Sequence, residues 1–326
     1  GLALYFGGGM AFAASDAPQR DASKIMGPAE CGECHKSEVQ AWRGSHHFQT
    51  YKALPRKKEA KKIAGKMGIK RMKKDSACVS CHFTLGLNKK GKVKAISGIS
   101  CESCHSPSKE WLKVHGDFGG KKVTREKETP EHKAQRRAKM KSAGMIRPAT
   151  LYRLAQNCYQ CHTVPNEKLV NVGGHTPGSK FELVSWSQGE VRHNFLQSNG
   201  KKNEAASPER KRVLYVVGRA LDLEFSLRSL AKATENGKFA DAMAKRVMAA
   251  TGKVKEIHGL APLPEIKEIL TATEGLDLKP NNQSNLEGAA NKIATAAQKL
   301  AENQDGTKLA ALDQVIPKKY KGKPGS

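Results

Sequence analysis

Residues 101–115 read CESCHSPSKEWLKVH. Two cysteines separated by two residues and followed at once by a histidine form a compact unit, and the chain repeats it. The four copies are Cys31-Gly-Glu-Cys34-His35, Cys78-Val-Ser-Cys81-His82, Cys101-Glu-Ser-Cys104-His105 and Cys158-Tyr-Gln-Cys161-His162. Together they use all eight cysteines of the 326 residues. Residues three apart share one face of a helical turn. Each pair therefore presents two sulfurs side by side, with an imidazole just beyond.

This spacing is the attachment signature of a c-type haem. The sulfurs form thioethers along one porphyrin edge and the histidine projects under the iron. Zinc held by paired CxxC units, or redox disulfides, would leave all four following histidines without a role. The expectation is four covalently bound c-type haems. Cys31, Cys34, Cys78, Cys81, Cys101, Cys104, Cys158 and Cys161 anchor them, and His35, His82, His105 and His162 are the proximal ligands. Composition agrees: 38% hydrophobic and 6% aromatic residues are lean for a core of this size. Large flat cofactors would fill the interior in their place.

Each iron can take a second ligand on its far side, which sets potential and reactivity. Seven other histidines are available: His46, His47, His115, His132, His175, His193 and His258. After His35 the run KSEVQAWRGSHHF reads as one helix, and twelve residues of helix span roughly 18 Å. His47 therefore reaches a neighbouring haem and not its own. Ser106-Pro107 reads as the cap and first residue of a new helix, with His115 about two turns on, so the same argument holds there. His46, His132 and His258 read as packing or surface residues, and Met67, Met72, Met140 and Met145 as packing.

The segments CGECHKSEVQAWRGSHH, DSACVSCH, GISCESCHSPSKEWLKVHGD and NCYQCH resemble, in order and spacing, the cytochrome c-554 family of tetrahaem electron carriers. The resemblance covers roughly residues 28–165. It implies that His47 pairs with His105 and that His115 pairs with His35. The short link from Cys78 to Cys101 fits a closely stacked haem pair. In that family the second haem resembles a five-coordinate site, so His82 carries a candidate open iron. Beyond Cys161 two distal candidates remain: His193 is allotted to the fourth haem, and His175, beside a Thr-Pro that resembles the family's lid, either closes the second haem or leaves it open.

Net charge is +26 and uneven: residues 1–205 hold 37 basic against 17 acidic side chains. Residues 56–74, RKKEAKKIAGKMGIKRMKK, carry ten Lys or Arg and one acid. Such a field attracts anionic or acidic redox proteins; without interleaved aromatics, nucleic acid is not an expected partner. The opening GLALYFGGGMAFAA ends in the A-x-A pattern of Ala11-Phe12-Ala13. That predicts a signal-peptide remnant over 1–13, a linker over 14–29, and periplasmic or otherwise exported location. No transmembrane segment is expected.

Residues 206–316 contain no cysteine. Ser207-Pro208 caps a helix with Val213, Val216, Val217, Ala220, Leu223 and Leu227 as one stripe. Phe239, Met243 and Val247 mark a second helix, and 262–270 a shorter one. Ser284-Asn-Leu-Glu287 reads as a capping box before Leu286, Ala290, Ile293, Ala297 and Leu300. The fold class expected is mainly α: a multihaem cytochrome c over 30–205 with little regular sheet, a C-terminal helical bundle over 206–316, and a basic disordered tail over 317–326. The function expected is electron transfer along mostly bis-histidine haems. The alternatives are a nitric-oxide-type reductase at an open second haem, or a subunit of a larger membrane or extracellular oxidoreductase complex.

Overall fold

The computed structural model describes residues 20–325. The expected signal-peptide remnant, 1–13, and the first part of the linker lie outside the described residues. The fold is mainly α, with one antiparallel hairpin, β1 (Thr84–Leu87) with β2 (Val93–Ser97), among the described residues. No helix of the described residues is long and apolar enough to cross a membrane.

The cysteine motifs lie in or at the ends of short helices. The first helix, α1 (Pro28–Gly32), stops inside the first motif, and α2 (Lys36–Arg43) follows with His35 as its N-cap. Then come α3 (His46–Ala53), α4 (Lys58–Lys66) and α5 (Ser76–His82), which carries the second motif. Asp75 caps α5 by accepting a hydrogen bond from the Ala77 N–H at 2.9 Å. The third motif is itself a helix, α6 (Cys101–His105), followed by α7 (Leu112–His115) and α8 (Pro130–Ser142). The fourth motif ends α9 (Leu151–His162). Two short helices, α10 (Glu167–Asn171) and α11 (Leu183–Ser187), lead to the C-terminal bundle.

Two local expectations fail near the motifs. The run after His35 is two helices, because Ser45 interrupts it. Its hydroxyl donates to the Trp42 carbonyl at 2.7 Å and accepts from the Phe48 N–H at 3.3 Å, so it caps a new helix. Ser106 does not start a helix; at φ 75° it ends α6, and its hydroxyl bonds the Gly144 carbonyl at 2.8 Å. Ser108 starts the turn toward His115 instead, its carbonyl accepting from the Leu112 N–H at 2.7 Å.

The bundle comprises α12 (Pro208–Leu230), α13 (Lys238–Leu260), α14 (Pro264–Thr271) and α15 (Gln283–Asn303). Ser207 caps α12 through the Arg210 N–H at 3.2 Å. All the stripe residues predicted for α12, α13 and α15 are buried. The capping box at Ser284 does not form: α15 starts at Gln283 behind Asn282, whose amide is turned to the Asp277 carbonyl at 2.7 Å.

One apolar core joins this bundle to the fourth motif. Leu151, Tyr152, Ala155 and Tyr159 of α9 lie in the same cluster as Val213, Leu221, Met243 and Ile293. Close approach is built in at Gly218, where a Cβ would stand 2.8 Å from that of Leu183 and 3.1 Å from the Tyr159 hydroxyl. Glu224 is fully covered in this core. It accepts from the Tyr152 hydroxyl and the Arg228 Nε, both at 2.8 Å, while burial pushes its carboxyl upward. The boundary placed at residue 205 is thus not a break in packing.

The tail expected to be disordered runs along the molecule to residue 325. Lys321 donates to the Ser185 carbonyl and accepts from the Glu190 N–H, both at 2.9 Å, and Asn203 holds the Gly325 carbonyl at 2.7 Å. Backbone pairing and half-buried Tyr320 outweigh the composition of the segment.

Between residues 20 and 150 the second apolar cluster is small: Val79, Phe83 and Ala95. Three of the four motifs lie in this sparsely packed part.

Candidate functional site

Each motif histidine faces a second imbidazole-bearing residue brought from elsewhere in the chain. Ring centroids stand 6.1 Å apart for His35 and His115, 6.4 Å for His82 and His175, 6.2 Å for His105 and His193, and 6.3 Å for His162 and His47. His162 also stacks on Phe181, at 4.5 Å between ring centroids. Two imidazoles on opposite sides of one metal, with bonds of about 2 Å and ring centres about 1 Å behind each nitrogen, come out roughly 6 Å apart. The four separations fit that spacing.

Protonation fits as well. The Nδ1 atoms of His105, His115, His175 and His193 lie 2.9, 2.5, 2.8 and 2.6 Å from the carbonyl oxygens of Ile146, Leu112, Thr176 and Val191. A carbonyl can only accept, so each Nδ1 is the donor and Nε2 is the nitrogen left free of that bond. Burial pushes His82, His105 and His162 down to about 4, which keeps these rings neutral.

The cysteines converge too. The Cys31 and Cys101 thiols are close enough to perturb each other, the first held low and the second pushed up, and Cys81 and Cys161 behave in the same way. The first motif thus adjoins the third and the second adjoins the fourth, and Thr84, two residues after His82, also bonds Ser103 of the third motif at 2.9 Å. Among the described residues no three His, Cys, Asp or Glu side chains gather as a metal cage. Paired CxxC units therefore form no four-thiolate zinc site, while sulfur pairs, opposed imidazoles and a sparse apolar core suit haem.

Two expected pairings are exchanged. His47 faces His162 instead of His105, and His193 faces His105 instead of His162. The break at Ser45 is the reason for the first. It redirects α3, which is then tied to the second motif by the Thr50 hydroxyl, 3.3 Å from the His82 carbonyl. A glycine permits this approach: a Cβ on Gly98 would collide with the His47 carbonyl and lie 2.9 Å from that of Phe48. Gly98→Ala is expected to cost about 2 kcal/mol through overpacking and to displace His47, read as a lower melting temperature with an altered Soret spectrum.

His46 points away and pairs with Glu190 at 2.7 Å. His132 binds Glu128 at 2.8 Å, and that carboxylate also holds Arg136 at 2.6 Å. Arg136 in turn donates to the His115 carbonyl at 2.9 Å, bracing that ring from behind. The Arg136 guanidinium holds Glu128 down to about 2. A depressed carboxyl contributes stability above its ordinary value of 4.5, lost as pH falls toward 2. Glu128→Gln should flatten that acid limb in denaturation curves recorded between pH 6 and pH 3.

Sequence reasoning missed Glu102, which lies between the cysteines of the third motif and is fully buried. Its carboxylate accepts from the backbone N–H groups of Met26, Gly27 and Ser108 at 2.9, 2.7 and 2.8 Å, and from the Ser108 hydroxyl at 2.6 Å. Arg20 was missed as well; it bonds the Ser103 carbonyl and the Asn157 side chain, linking α6 to α9. A glutamate between two cysteines signals nothing by itself, since its partners are distant in sequence.

Residues 30–106, with three of the four motifs, match the family model for cytochrome c554 and c-prime. Over this segment the chain is similar to the cytochrome c-554 family. That similarity implies covalently bound c-type haem. Cytochrome c-554 of Nitrosomonas europaea (strain ATCC 19718 / CIP 103999 / KCTC 2705 / NBRC 14298) is 32% identical over 125 residues, which cover 36% of this chain and 50% of that protein. The chain thus spans about half the length of the curated relative it matches. No solved structure matches the chain. The bundle α12–α15 lies beyond the residues that match the cytochrome c-554 family model.

Proposed function

We propose that this chain is an exported tetrahaem c-type cytochrome that carries electrons between redox partners. The observation that supports it most is that every motif histidine has a second imidazole opposite it, at 6.1–6.4 Å between ring centres. In this reading His115, His175, His193 and His47 are the distal ligands opposite His35, His82, His105 and His162. Each bound haem supplies a one-electron ferric–ferrous couple, tuned by axial ligands, burial and charge. The chain's part is to hold the eight imidazoles in opposed pairs, to fix the sulfur pairs, and to exclude ligands from both axial positions. A site filled on both sides favours outer-sphere electron transfer over bond chemistry.

His175 is what weighs against the reductase reading. With its ring opposite His82, the second site has no free position for a small molecule such as nitric oxide. The bundle stripes are covered by one another and by α9, which supports a packing role for residues 206–316. A net charge of +26 supports acidic redox proteins as partners.

The test is iron and haem stoichiometry together with electron paramagnetic resonance of the oxidised protein, then nitric oxide added to the reduced form. Four haems per chain, all low-spin and none binding nitric oxide, are expected. Fewer haems, or a high-spin site in the native protein, would overturn the reading.

A further inference from the structure

The basic run 56–74 is placed around one of the four histidine pairs. Nine of its ten basic side chains are exposed, and none of the ten forms an ion pair with a described carboxylate. The run follows α3, whose Thr50 hydroxyl lies 3.3 Å from the His82 carbonyl. Lys73 returns to the same side, with its Nζ 3.4 Å over the Tyr51 ring and 5.9 Å from that of Phe83, the residue after His82. Between them α4 reaches the opposite ring. A Cβ on Gly174, next to His175, would stand 3.5 Å from Lys66 Nζ, and one on Gly173 would stand 3.1 Å from the Met67 side chain. Val172, 51% exposed, lies beside this glycine pair. The pair is thus flanked from both sides by unpaired positive charge, with an apolar residue at the edge.

We propose that this surface is the docking site for an acidic one-electron carrier protein, and that electrons enter at the His82–His175 pair. The inference rests on the electron-carrier reading and names where its partner sits. Uncompensated charge of one sign speeds encounter by roughly 10- to 1,000-fold, and crowding it round one site orients the encounter. An anionic membrane is the competing occupant of a basic helix. It is disfavoured because the apolar side of α4 is already covered, Ala64 being 5% exposed. In the transfer one electron leaves the carrier's reduced centre and one ferric site becomes ferrous; no bond forms or breaks and no proton moves.

The probe is an acidic flavodoxin, used with the full-length holoprotein. Lys57→Glu/Lys61→Glu/Lys66→Glu changes the patch; Lys255→Glu/Lys267→Glu/Lys292→Glu makes the same charge change on the exposed side of the bundle. At low ionic strength the rate constant for reduction by reduced flavodoxin should fall at least tenfold in the patch variant and less than twofold in the control. The two should converge at high salt. Equal losses in both would assign the effect to net charge and overturn the proposal. Lys58→Gln/Lys61→Gln/Lys62→Gln, which only neutralises exposed side chains, should fall in the same direction and guards against misfolding. Oxidised flavodoxin separates docking from electron transfer: its binding should weaken in the patch variants even if no variant is reduced, the result that would sink the carrier reading alone. The haem methyl resonances moved by His175→Ala identify the His82 site. Those same resonances should shift when oxidised flavodoxin is added, and movement of a different set would place docking elsewhere. Loss of binding to phosphatidylserine vesicles without loss of binding to flavodoxin would assign the patch to a membrane and overturn the proposal.

Discussion

His175→Ala should turn one ferric haem in four high-spin and allow the reduced protein to take up one nitric oxide per chain. His175 stands opposite His82, and its Nδ1 is committed to the Thr176 carbonyl at 2.8 Å, so Nε2 is the atom offered. Removing the ring vacates one axial position and leaves the other three pairs intact. The change is read by electron paramagnetic resonance and by the growth of a high-spin charge-transfer band. His46→Ala is the matched control. Its ring pairs with Glu190 on the outside of the molecule, and its removal should leave all haems low-spin. If His175→Ala remained entirely low-spin, the assignment of His175 to the second site would be wrong. The effect should be confined to the His82 site, because His175 makes no ring contact with the other motif histidines.

Glu102→Ala should be among the most destabilising single substitutions in the chain, at about 3–5 kcal/mol. One carboxylate satisfies three backbone N–H groups and a hydroxyl, joining the segment before α1 to the third motif and to the turn that leads to His115. Truncation strands those donors away from water. Glu102→Gln keeps one acceptor oxygen but turns an NH2 toward N–H groups, and should recover less than half of the loss. Thermal unfolding followed in the Soret region ranks the three proteins. Because the same carboxylate holds both ends of the first site, the His35–His115 pair should loosen before the other three. An alanine variant within 1 kcal/mol of the parent would show that water replaces the carboxylate, which the burial of Glu102 argues against.

Much of the chemistry was legible in residue order. The spacing within each CxxCH unit is local, set by one helical turn, so the four units can be read without any knowledge of the fold. The bundle was legible for a related reason: Val213 to Leu227, Phe239 to Val247 and Leu286 to Leu300 repeat at helical period, and a helix that buries one face must show that period. The spare histidines were legible only as a set. His46 and His47 are adjacent and chemically identical, and a capping serine one residue upstream turns one toward Glu190 and the other toward His162.

The sequence by itself determined the four CxxCH units, the lean composition around them, the basic run and the helices of the bundle, because each depends on neighbours along the chain. Only the tertiary structure decided which ring faces which. The exchange of His47 and His193 between the third and fourth motifs follows from the break at Ser45, the close pass at Gly98 and the packing of α9 against the bundle. It also decided that Glu102 is a junction and that the tail is docked. These features depend on contacts between residues far apart in sequence, whose energies are settled by the packing of whole elements and leave no periodic trace in the order of residues.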